Sequence, residues 1–148
     1  MDVEALGHRA LELMQEGDIL MYLDSDMGYT EDAAQYYCLA QQQDVVGFHH
    51  SHGWYTLDRL ASRDSMILMD MDTPEVASSV QSSGGNILFK KSPISVDYVR
   101  TVSAWSQQIE VICCYGSPSK LGVDWPNYIS SEYIHQCDQA ISSLMLIR

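Results

Sequence analysis

Basic residues are scarce in this chain: eight Lys and Arg stand against twenty Asp and Glu, giving a formal charge of −12 and a pI near 4.5. A surface with that balance repels phosphate backbones and anionic headgroups, so neither nucleic acid nor a membrane is expected as a partner. Long apolar runs are also missing. No stretch reaches the ~18 residues that a bilayer span needs, and the start of the chain has no basic segment followed by an apolar one. These absences point to a soluble, cytoplasmic protein. The four cysteines, Cys38, Cys113, Cys114 and Cys137, include no Cys-x-x-Cys pair. Adjacent Cys113 and Cys114 would face opposite sides of a strand, so neither a zinc ribbon nor a disulfide framework is indicated, and the thiols read as buried. There is no glycine-rich phosphate loop, internal repeat, low-complexity tract or linker. Residues 1–148 therefore read as one domain, and a hydrophobic content of 46% is enough for a core.

Helical and extended patterns alternate along the chain. Residues 29–40 read as an amphipathic helix, with Thr30 as N-cap, acidic residues in the first turn, and Ala33, Tyr36, Tyr37 and Ala40 on one face. A β-branched run from Val45 to Phe48 follows as a strand. The methionines of Met66-Ile67-Leu68-Met69-Asp70-Met71 read as core filler. Thr73-Pro74-Glu75 gives an N-cap with proline at the first helical position, and Ser82-Ser83-Gly84-Gly85 reads as the end of that stretch. Asn86 to Lys91 then reads as a short strand. Val96 to Trp105 carries strand-like Val, Tyr and Thr, with a helix as the alternative, and Glu110 to Tyr115 is the clearest late strand. From about Ser130 to Arg148, Ile134, Cys137, Ile141, Leu144 and Met145 form a helical stripe. Such a stripe docks on its own core or pairs with another subunit, so a homo- or hetero-oligomer through this helix is one expectation.

The segment Val45-Val46-Gly47-Phe48-His49-His50-Ser51-His52-Gly53-Trp54 carries the most chemistry. At the end of a strand, His50 and His52 share a face. Asp64 lies twelve positions beyond His52, past a turn, where a carboxylate can return to the same point. Two imidazoles, one carboxylate and a water make up a catalytic zinc site. The bland alternative is a solvated polar loop. Asp70-Met71-Asp72 offers a different site, a carboxylate pair at a strand end for Mg²⁺, without the phosphate loop that usually accompanies one.

The order of helix, Val-Val-Gly-aromatic strand, His-Ser-His and serine-containing turn before an aspartate resembles the JAMM (MPN-plus) zinc isopeptidase family. That family's signature is a distant Glu, then His-x-His-Pro, then Ser-x-x-Asp. The resemblance covers roughly residues 29–93. His50 and His52 match the two histidine ligands and Asp64 the aspartate ligand. Gly53 stands where the family has proline, and the gap from His52 to Asp64 is one residue longer. Ala61 falls where the family has its serine, with Ser62 next to it. For the glutamate, Glu4 in Glu4-Ala5-Leu6-Gly7 resembles the Glu-x-x-Gly start of the family's first strand, with Glu12 and Glu16 as other candidates. Residues 5–15 read equally as an amphipathic helix, with Leu6, Ala10, Leu13 and Met14 on one side.

The resemblance implies an α+β fold, an α/β sandwich with a mixed central sheet flanked by helices. It also implies a zinc-dependent peptidase or isopeptidase, acting on a peptide bond or on a ubiquitin-like isopeptide bond. His50, His52 and Asp64 would hold Zn²⁺, Glu4 would be the general base, and Ser51 or Ser62 would steady the oxyanion or a ligand. The alternative is a catalytically inactive MPN-like subunit, or another acidic α/β subunit, that binds a protein partner.

Overall fold

The computed structural model describes residues 9–25, 27, 28, 33–49, 55–108, 111, 121 and 137–148. Over these the chain is mixed α+β. Residues 9–13 are helical (α1), and they are followed by β1 (Ile19–Leu23), α2 (Ala33–Gln42), β2 (Val45–His49), α3 (Leu57–Leu60), α4 (Arg63–Leu68) and α5 (Pro74–Ala77). Then come β3 (Ser82–Lys90), α6 (Pro93–Ser106) and α7 (Cys137–Ile147). No helix among the described residues is long and apolar enough to cross a membrane. The chain divides into two compact units, each drawn from two stretches: residues 1–48 with 83–103, and residues 49–82 with 104–148.

The first unit is built on a three-stranded sheet in the order β1-β3-β2. Strands β1 and β3 run antiparallel, with Ile19 opposite Lys90, Met21 opposite Leu88 and Leu23 opposite Asn86. Gly17, with φ of +89°, makes the turn into β1 in a conformation that a Cβ would strain. Alternation along the strands gives the sheet two apolar faces. On one, Leu88, Val46, Met21, Ile19 and Phe48 pack with Ala40 and Tyr36 of α2, the Tyr36 and Phe48 rings meeting edge to face with centroids 5.7 Å apart. On the other, Phe89 meets Tyr98 of α6 at a centroid distance of 6.1 Å. Helices thus cover both faces of the sheet.

Several sequence expectations are revised here. Strand β3 starts at Ser82, so Ser82-Ser83-Gly84-Gly85 is extended rather than a helix end, and α5 stops at Ala77. The ends of the Met27 and Asp24 side chains lie over Gly85: an added Cβ would come within 2.5 Å of Met27 Cε and 2.9 Å of Asp24 Oδ2, so these side chains would have to shift to admit one. Residues 96–105 form a helix, not a strand. Ser92 and Ser95 cap its start reciprocally, each backbone N–H donating to the other's hydroxyl at 3.1 and 3.2 Å, and Pro93 occupies the first helical position. Ser95, Tyr98, Val99 and Val102 then bury one helical face. In the α2 stripe Ala40 is buried but Tyr37 is 58% exposed, and Cys38 is exposed rather than a buried thiol. In α1 the inward residue is Leu11, and Leu13 is 82% exposed.

In the second unit, helix α4 and the turn that ends it carry the buried methionines Met66, Met69 and Met71, as the sequence leads one to expect. Helix α4 ends in a Schellman turn: the Met71 N–H donates to the Met66 carbonyl at 2.7 Å and the Asp70 N–H to that of Ile67 at 3.1 Å. Asp70 takes the left-handed position with φ of 59°. The bridge between Thr56 and Val80, together with the Leu57 N–H on the Ser79 carbonyl and the Gln81 N–H on that of Tyr55, closes the chain around α3, α4 and α5. The middle of helix α7 is buried on every side, because Gln139 through Leu144 are six consecutive buried residues and so span more than a full turn. It is tied to Ser82 by its polar side chains. Gln139 Nε2 donates to the Ser82 carbonyl at 2.7 Å, and the Ser82 N–H donates to Ser143 Oγ at 2.9 Å. Of residues 110–115 only Val111 is described, and its backbone is helical.

Candidate functional site

Helix α4 places two of the residues singled out by the sequence. Ser62 is its N-cap, with extended backbone and a hydroxyl that accepts the Ser65 N–H at 3.1 Å. The side chains of Ser62 and Ser65 are also within 3.1 Å of each other. The Ser62 hydroxyl therefore has a structural task, closing one of the unpaired donors of the first turn, which is worth about 1 kcal/mol. Asp64 sits in that first turn, where a carboxylate is favoured by the helix dipole. It is 6% exposed, and its Oδ2 accepts the backbone N–H of Leu121 at 3.4 Å. A carboxylate this deeply buried is held in place by hydrogen bonds rather than by solvent, since an unpaired buried charge would be far more costly.

Ser65 is a contributor that the sequence reading passes over. Fully buried, it donates from Oγ to the Val111 carbonyl at 2.8 Å and so joins the start of α4 to the backbone 46 residues later. The Ser62-x-x-Ser65 spacing is the signal that reveals it, because a hydroxyl three residues after an N-cap lies in the same first turn. Arg63, between Ser62 and Asp64, turns away to Asp72. Its Nε lies 3.1 Å from Asp72 Oδ1 and its Nη2 lies 3.1 Å from Oδ2, a forked ion pair. The strand end on which the Mg²⁺ reading of Asp70 and Asp72 rested is not there. One carboxylate is engaged by a guanidinium, the other is exposed in the Schellman turn, and the run before them is a helix rather than a strand.

His50, His52, Ser51 and Glu4 lie outside the described residues, as do the proposed N-cap Thr30 and the loop at 116–120. Strand β2 runs as expected to His49, immediately before the two histidines. Among the described residues, no three His, Cys, Asp or Glu side chains gather as metal ligands. In type and place Asp64 fits the part of a zinc ligand, as a buried carboxylate oriented by a backbone N–H, which is how protein ligands of metals are commonly held. Glu12 and Glu16, the other candidates for a general base, flank the end of α1.

No family model, no curated protein and no solved structure matches the chain.

Proposed function

We propose that the chain is a divergent JAMM/MPN-type zinc hydrolase that cleaves a peptide bond or a ubiquitin-like isopeptide bond. The observation that carries this reading is Asp64. The His50-Ser51-His52 and Asp64 pattern requires its aspartate just inside a helix that follows the strand-borne histidines, and Asp64 lies buried in the first turn of α4, after a strand that ends at His49.

In this reading His50, His52 and Asp64 would hold the metal. A bound Zn²⁺ would supply Lewis-acid chemistry, activating water near neutral pH and polarising the scissile carbonyl. Glu4 would take a proton from the attacking water and pass it to the leaving amine. Leu121, through its N–H, holds Asp64 in one orientation, and Ser62 sets the start of the helix that presents it. The test is a pair of variants assayed for peptide and isopeptide hydrolysis. His52→Ala should lose both metal and activity, whereas Glu4→Gln should keep the metal and lose rate by ~10²–10⁴-fold. A silent Glu4→Gln beside an inactive Glu12→Gln or Glu16→Gln would move the base without removing the enzyme.

A second reading, a catalytically inactive subunit that binds a protein partner, is favoured by one feature of the same helix. Ala61 occupies the place of the family's serine, and the neighbouring Ser62 hydroxyl is engaged in capping. Metal-free wild-type protein with no hydrolase activity would select this reading.

A further inference from the structure

We draw no further inference here: the strongest candidate, the exposed, charge-free groove on α2 lined by Ala34, Gln35, Cys38 and Leu39, carries nothing, because nothing in the structure shows what covers it.

Discussion

Gln81 and Gln139 offer one substitution with opposite expected signs. Both side chains are buried in the second unit, but they are satisfied differently. Gln139 Nε2 donates to the Ser82 carbonyl at 2.7 Å, while among the described residues neither Nε2 nor Oε1 of the fully buried Gln81 has a hydrogen-bond partner. An amide buried without partners costs about 1–3 kcal/mol by the measure of protein substitutions. Methionine has nearly the same length and flexibility and no group to satisfy, so Gln81→Met should stabilise the protein by about 1–3 kcal/mol. The backbone bond from the Gln81 N–H to the Tyr55 carbonyl is untouched by the change. At about 2–4 °C per kcal/mol for a chain of this size, the Tm should rise by roughly 2–12 °C. Gln139→Met should instead strip the Ser82 carbonyl of a donor, lose about 1–3 kcal/mol and lower the Tm. Thermal melts followed by circular dichroism read both signs, and urea titrations with an unchanged slope confirm that stability alone has moved. A Gln81→Met protein destabilised as much as Gln139→Met would refute the reasoning, since it would mean that the Gln81 amide is hydrogen-bonded in solution.

Three further outcomes follow from the helix ends. Asp70→Gly should raise stability by about 0.5–1 kcal/mol, because glycine adopts the left-handed φ of the Schellman turn freely; a loss in urea denaturation would contradict that turn. Ser92→Ala should cost about 1 kcal/mol by opening the reciprocal cap of α6, and chemical denaturation should show the shift in midpoint. The Glu75 carboxyl titrates below its ordinary range, held there first by a hydrogen bond from its own backbone N–H and then by the Thr73 hydroxyl. A group whose pKa is lowered on folding adds stability that is present above its unfolded value and is lost as pH falls through the folded one. Wild-type melts should therefore lose stability on acidification below the ordinary carboxylate range, and Glu75→Gln should lose less over that interval. Identical pH profiles for the two proteins would contradict the assignment.

What was legible in the sequence was mainly local chemistry. Thr73-Pro74 marks the start of α5, and the Val45–Phe48 run marks β2, because a cap with proline and a β-branched run act within a few residues. The methionines of residues 66–71 were likewise legible as core. Where the reading failed, a longer-range contact or an overlooked cap decided the outcome. Ser82-Ser83-Gly84-Gly85 has turn composition, yet Ser82 is tied to α7 through Gln139 and Ser143, and the Gly85 carbonyl accepts the Asp24 N–H at 2.8 Å, so both ends of the segment are held in an extended chain. Residues 96–105 have strand-like side chains, but Ser92-Pro93 and Ser95 start a helix whose buried residues recur at helical spacing; the cap was present in the sequence and outweighs the weak β preference of Val, Tyr and Thr. Of the candidate site, the position of Asp64 at a helix start could be anticipated from the serine before it. The spacing from Ser62 marks Ser65 as a first-turn hydroxyl, but its bond to the Val111 carbonyl and that of the Leu121 N–H to Asp64 could not be anticipated, since each joins residues more than forty positions apart.

The central claim, a zinc ion on His50, His52 and Asp64, is tested most directly by the metal content of protein purified without chelator. Elemental analysis should return about one zinc per chain, falling to background in His52→Ala and in Asp64→Ala. Zinc added back to stripped wild-type protein at ~100 times its dissociation constant should stabilise it by about 2.7 kcal/mol, visible as a rise in Tm that neither variant shows. Wild-type protein with no transition metal, and no shift in Tm on adding zinc, would contradict the account.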